Sequence, residues 1–183
     1  MGRSLMSGDS LYDEPPGKDG GAPGVQTQMV LPADLVALAQ NGATVSLGSC
    51  ASDGSPVVSL GVGAVVGPTG VFRVYINTKG NGRLLDAVQS GGGIAATFVR
   101  ATDHKGFQAK ASTAHVRPAD PDHFTELERQ CAVMRDELVE LGLPLSVATG
   151  FGTVDTSDLL AIEFVPEEAF MQTPGPGAGG PVR

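Results

Sequence analysis

The stretch Val71–Val88, VFRVYINTKGNGRLLDAV, constrains this chain more than any other. It begins as a strand: Phe72, Val74 and Ile76 alternate with Arg73 and Tyr75, which puts the apolar set on one face of a pleat. The alternation stops at Asn77-Thr78-Lys79, Gly80-Asn81-Gly82 supplies a turn, and Arg83 opens a short helix that runs to Gln89. A strand that ends in amide, hydroxyl and ammonium groups and turns through glycines into a helix is suited to hold a phosphate. The glycines let the backbone come close, the helix N-terminus offers free N–H groups, and Lys79 and Arg83 bring charge. The same pattern also describes a polar turn on the surface of a β domain. GNGRLL matches neither GxGxxG nor the GxxxxGK phosphate loop.

Charge tips the balance towards an anion site. The chain carries 12 basic and 20 acidic residues, a formal charge of −8, which argues against general nucleic-acid binding and against an anionic membrane surface. Residues 71–117 reverse that balance. Seven basic residues (Arg73, Lys79, Arg83, Arg100, Lys105, Lys110 and Arg117) stand there against two acids, Asp86 and Asp103, so the segment is +5 and the remainder −13.

Residues 1–28 are rich in Gly, Pro, Ser and Asp and offer little to bury, which predicts a disordered arm. The folded domain is expected over 29–170, followed by a flexible Pro/Gly-rich tail over 171–183. Within the domain the pattern predicts a short helix at 32–40 and strands at 43–50, 57–66, 71–76, 94–100, 107–117 and 159–165. The short connections point to a mainly β, α+β fold in which an antiparallel sheet closes into a barrel. On the 107–117 strand, Gln108, Lys110 and Ser112 share one face. The clearest helix is 120–141, with Asp120 as cap, Pro121 in the first turn and Gly142 as stop. Phe124, Leu127, Cys131, Met134, Leu138 and Leu141 form its apolar stripe, a packing surface.

Other chemistry finds little support. Cys50 and Cys131 have no ligand spacing, so reduced thiols and no metal site are expected. His104, His115 and His123 are not brought together by any spacing, and no Ser/His/Asp pattern occurs. No apolar run approaches the roughly 18 residues of a membrane span and no signal peptide is visible, which points to a cytoplasmic protein.

The succession of a short helix, the SDGSPVVS hairpin, VYINTKGNGRLL, GGGIAATFV and FQAKASTAHV, then an acidic helix, resembles the pyridoxamine 5′-phosphate oxidase-like group of FMN-binding proteins over residues 31–170. The resemblance implies a six-stranded antiparallel split β-barrel with flanking helices, a homodimer, and FMN held at the subunit interface. By position it implies that Val58, Ser59 and Leu60 run along the flavin ring. Tyr75, Ile76, Asn77 and Thr78 would lie beside the isoalloxazine and ribityl chain. Lys79, Asn81 and Arg83 would hold the phosphate, and Gln108 would reach the flavin. The chain has no tryptophan and lacks the Arg-rich C-terminal motif of the true oxidases, so it is not expected to act on pyridoxamine phosphate.

The expected function is an FMN-dependent oxidoreductase acting on a small organic molecule. The alternatives are a reductase using the deazaflavin F420 and a module that stores or senses flavin without turnover. Because the cofactor carries the redox chemistry, no catalytic side chain is identified. Gly61, Gly63 and Ala64 are expected to leave an open pocket over the ring; the competing reading is that these glycines let the strand bend at a barrel corner.

Overall fold

The computed structural model describes residues 29–182. A short helix α1 (Ala33–Ala39) precedes the hairpin of β1 (Thr44–Cys50) and β2 (Pro56–Gly61). β3 (Gly63–Val66), β4 (Phe72–Asn77), α2 (Gly82–Gln89), β5 (Ile94–Val99), β6 (Gly106–Ala111) and β7 (His115–Pro118) follow. A 3-10 turn at Pro121–His123 leads into the long helix α3 (Phe124–Glu140), then α4 (Leu145–Phe151), β8 (Leu159–Phe164) and β9 (Glu168–Met171). The strands make two antiparallel sheets, one ordered β2-β1-β5-β6-β9 and the other β3-β4-β8-β7. The α+β class is as expected. The expected closing of the sheet into a barrel is not seen: among the described residues the strands form two sheets that do not join into one hydrogen-bonded ring.

The difference arises at two strands that read as continuous in the sequence. The expected strand 57–66 bends at Val62, giving β2 to one sheet and β3 to the other. The expected strand 107–117 divides in the same way into β6 and β7. Gly61 is required at the first corner, because a Cβ there would lie 2.7 Å from Val45 Cγ1 and 3.0 Å from the Tyr75 carbonyl oxygen. Gly63 is equally enclosed, with Gln130 Oε1 2.7 Å from the place of its Cβ, and Ala64 is fully buried. These residues bend and pack the strand and do not open a pocket, which corrects the expectation of an open space there.

The main core lies between the sheets, where Leu47, Phe72, Val74, Ile76, Phe98 and Phe107 meet Leu84, Leu85 and Val88 of α2. Phe72 stacks on Phe164 and Phe98 on Phe107, with centroids 5.5 and 5.1 Å apart. The other face of β4 is covered too: Tyr75 enters a second cluster with Leu127, Leu159 and Ala161.

The predicted caps act at both ends of the helical stretch, Asp120 on the 3-10 turn that leads into α3 and Gly142 after its last turn. The Asp120 carboxylate accepts the Asp122 N–H at 3.1 Å. Gly142, at φ 91°, closes the helix, with the Leu143 N–H on the Leu138 carbonyl (3.0 Å) and the Gly142 N–H on that of Val139 (2.9 Å). Leu127, Cys131 and Met134 are buried as the stripe predicts, together with one polar residue, Gln130. β3 is an edge strand, so its alternate backbone groups point away from β4. Gln130 Oε1 accepts the Ala64 N–H at 3.0 Å and Gln130 Nε2 donates to the Ala64 carbonyl at 2.8 Å. Gln40 Oε1 accepts the Val66 N–H at 2.9 Å.

The C-terminal segment, expected as a flexible Pro/Gly-rich tail over 171–183, folds back through turns over its described residues. Gly175, Gly177 and Gly179 adopt left-handed φ values of 127°, 98° and 77° and turn the chain back onto β9. The Gly179 N–H reaches the Met171 carbonyl at 2.7 Å, and the Val182 N–H reaches that of Ala169 at 2.8 Å. The predicted arm at 1–28 lies outside the described residues. Among those residues no helix is long and apolar enough to cross a membrane.

Two predictions follow from α3. Gln130→Ala strands both backbone groups of Ala64 in a buried place and leaves a void, a cost of about 3 kcal/mol or more, whereas Gln40→Ala strands one half-exposed group and costs about 1 kcal/mol. Denaturant melts of the two variants check this, and equal losses would remove the special role of Gln130. The second prediction concerns Glu137, whose Oε2 is buried without a hydrogen-bond partner among the described residues. Desolvation pushes its carboxyl above the ordinary value of 4.5, against the pull of Arg100. A carboxyl raised on folding binds its proton more readily in the folded state, so stability rises as pH falls towards that value. In urea melts near neutrality and at about pH 5, wild type should gain on Glu137→Gln as the pH falls. A constant difference would mean that Glu137 titrates alike in both states.

Candidate functional site

β4 ends at Asn77, and the chain turns through Gly80, whose φ of 83° only glycine adopts freely, into α2. The Asn81 side chain donates back to the Asn77 carbonyl at 2.9 Å and so holds the turn closed. As the first N–H groups of α2, those of Gly82 and Arg83 have no acceptor within the helix. The side chains of Lys79 and Arg83 are exposed, and neither forms an ion pair among the described residues. Arg83 donates to the Ser55 hydroxyl at 3.3 Å, which ties the turn to the head of β2.

One acid has entered this turn. Asp158, just before β8, accepts the Thr78 hydroxyl on one carboxylate oxygen and the Lys79 N–H on the other at 3.1 Å. Its carbonyl accepts the Thr78 N–H at 3.1 Å. The Thr78 hydroxyl above all, then the Lys79 N–H, holds the Asp158 carboxyl below the usual carboxylate range. Asp53 is lowered as well, chiefly by its hydrogen bonds from Ser55, with the Arg83 charge a smaller contribution. The sequence gives no hint of Asp158, which lies 79 residues from Lys79 and arrives through the pairing of β4 with β8.

The positive segment is less concentrated than its sum of +5 suggests. Glu163 takes Arg73 at 2.8 Å and Arg117 at 3.6 Å, while Asp103 takes Arg100 at 2.7 Å and Lys105 at 3.9 Å. Arg100 holds the Asp103 carboxyl down at about 2. Lys110 lies 4.8 Å from the Phe170 ring centroid. Of the seven cations, Lys79 and Arg83 are the two that remain outside ion pairs and ring contacts among the described residues.

Strand register gathers part of the expected ring-side set. Leu60 pairs with Ser46, Ser46 with Thr97, and Thr97 with Gln108, so the four form one row across the five-stranded sheet. The next row runs Val58, Gly48, Ala95, Lys110. These rows face away from the core: Val58 is 72% exposed and Leu60 57%. Gln108 donates to the Thr97 hydroxyl at 2.8 Å. The small residues Ser46, Gly48 and Ala95 leave the middle of this face flat. Sequence reading missed them, although the alternation of β1 and β5 assigns them outward.

The remaining expected residues lie elsewhere. Ser59 pairs with Leu47 on the inner side of β2, next to the core. The Ile76 side chain is fully buried in the main core. Tyr75 is also fully buried, its hydroxyl 2.5 Å from His123 Nδ1 and its ring edge-on to the imidazole. Asn77 spends its amide on the Asp158 carbonyl at 3.4 Å. A cleft of about 990 Å³ opens at a different place, bounded by Leu35 and Leu38 of α1, Lys105, Arg129 and Pro174, and no expected site residue lines it.

No family model matches the chain, and no curated protein does. Solved structures match its fold. HupZ of Group A Streptococcus superposes with a TM-score of 0.51 over 82% of this chain and 100% of its own, at 13% identity. A pyridoxamine 5′-phosphate oxidase-like protein of Lactobacillus delbrueckii gives 0.48 over 76% and 93%, at 18% identity. An F420 reductase gives 0.48 over 76% and 98%, at 14% identity. At these identities what is shared is the fold. The fold of this chain is the one seen in HupZ.

Proposed function

We propose that the protein is a flavin-type oxidoreductase that holds its cofactor by the phosphate at the turn Asn77–Arg83 and acts on a small organic molecule. FMN is the first candidate. One observation carries the reading: a strand–turn–helix with two unpaired cations, Lys79 and Arg83, is tied through Ser55 to a flat outward sheet face. The donor set suits a phosphate, since Lys79, Arg83 and the free N–H groups of α2 can all point at one anion. Val58, Leu60 and Gln108 would then bound the ring, the first two by apolar contact and the amide by hydrogen bonding. When bound, the flavin supplies the hydride chemistry, and the protein's part is to hold, orient and shield it.

The exposed outward face also supports a homodimer, in which a second copy covers Val58 and Leu60. A second cofactor, the deazaflavin F420, remains in play because Asp158 places a negative charge beside the turn. A phosphodiester such as that of F420 brings one negative charge to the site, where the monoester of FMN brings close to two.

Lys79→Ala combined with Arg83→Ala should weaken FMN binding by at least about a hundredfold while leaving riboflavin binding nearly unchanged, because charge-assisted hydrogen bonds contribute about 1.5–3 kcal/mol each. Fluorescence titration measures both ligands. A wild-type protein that binds neither FMN nor F420 overturns the proposal. If flavin binds but is neither reduced by NADH or NADPH under anaerobic conditions nor reoxidised by quinones, nitro compounds or oxygen faster than free FMN, the protein is a binding module.

A further inference from the structure

Asp158 takes two of the donors that the turn would otherwise present to a phosphate, the Thr78 hydroxyl and the Lys79 N–H. The charges of Lys79 and Arg83 are close enough to help, as small contributions, to hold the Asp158 and Asp53 carboxyls below the usual range, though neither cation forms an ion pair among the described residues. The local count is therefore two cations against two acids, with Asp86 further along α2. A site with that balance has no surplus charge, and the attraction it offers must come from geometry and from the free N–H groups of α2. An incoming anion then meets a repulsion from Asp158 that grows with the anion's own charge.

We infer that Asp158 is a specificity-determining residue, which selects the cofactor by the charge of its phosphate and penalises a dianionic monoester more than a monoanionic diester. The inference rests on the turn being the phosphate site. Asp158 reaches it by the same pairing that builds the sheet. The Asp158 carbonyl receives the Thr78 N–H where β4 meets β8, which fixes the backbone of Asp158 beside the turn, and the Thr78 hydroxyl and Lys79 N–H hold its carboxylate there. A phosphate held by Lys79, Arg83 and the α2 N–H groups would sit on the helix side of the turn, with Asp158 on the strand side.

The test compares wild type and Asp158→Asn for affinity towards FMN, F420 and riboflavin by fluorescence titration. The asparagine keeps an acceptor for the Thr78 hydroxyl and removes the charge. Because the repulsion scales with ligand charge, FMN should tighten by about tenfold, F420 by about threefold and riboflavin not at all. Should the variant fold poorly in a thermal melt, wild type alone provides the second measurement. Its affinity for FMN should rise as the pH falls through the second ionisation of a phosphomonoester, near about 6, while that for F420 stays level. Asp158 and Asp53, both held below the usual carboxylate range, remain charged across that interval. Equal changes for FMN and F420, or weaker binding of both, would assign Asp158 a structural role only. If FMN binding is lost in the Lys79→Ala, Arg83→Ala variant but unmoved by Asp158→Asn, the site stands and the selectivity falls. If neither cofactor binds wild type or Asp158→Asn, both fall together.

Discussion

The fold depends on how the edge of β3 is closed. A strand that leaves one sheet at Gly61 and enters another at Gly63 arrives as an edge, with alternate backbone groups facing nothing. Burying such an edge is costly unless each group finds a partner. Gln130 supplies both partners for Ala64 from a single amide, acting in place of one residue of a neighbouring strand. It can do so only if α3 lies close, and α3 lies close because Gly63 has no side chain to hold it off. The long helix, the corner and the second sheet thus stabilise one another, and the enclosure of Tyr75 beneath α3 follows from the same contact.

That dependence explains what could be read from the sequence. Period-two alternation located β1, β4, β5 and β8 because each stays in one sheet along its length. It could not show that 57–66 and 107–117 change sheets, since alternation continues through a corner and only the close approaches at Gly61 and Gly63 reveal it. The ends of the stretch 120–142 were legible because Asp120, which caps the 3-10 turn before α3, and Gly142 act on neighbours within a few residues. The return of 172–180 onto β9 was not, because Pro and Gly in abundance suit an extended chain and a run of left-handed turns alike. Of the site, the turn was readable and so were its two free cations. Tyr75 was placed beside a ligand by resemblance, yet its outward parity on β4 leads beneath α3.

Charge shows the same limit more sharply. Summing residues 71–117 counts Arg73 and Arg117 as though free, while Glu163, brought in by β8, neutralises both. The sum also omits Asp158, which comes from the same long-range pairing. A segment's net charge describes its sequence neighbours, whereas a ligand responds to the charges within a few ångströms. Lys79 and Arg83 stay outside ion pairs because they sit beyond the end of the β4–β8 ladder, where no residue of β8 stands opposite them.

The position of the turn also determines how strongly any cofactor could be held by one copy of the chain. Small-ligand sites usually bury most of the ligand, and that enclosure supplies much of the affinity. Here the turn Asn77–Arg83 is exposed, and the adjoining sheet face is flat because Ser46, Gly48 and Ala95 contribute so little bulk. A cleft with walls lies elsewhere, against α1 and the C-terminal turn. On a flat face the rim residues Leu60 and Gln108 can fix the orientation of a ring without excluding water from it. Under the proposed reading, exclusion of water would come from whatever covers Val58 and Leu60, and cofactor binding and the covering of that face would then be thermodynamically linked, each strengthening the other by the same free energy.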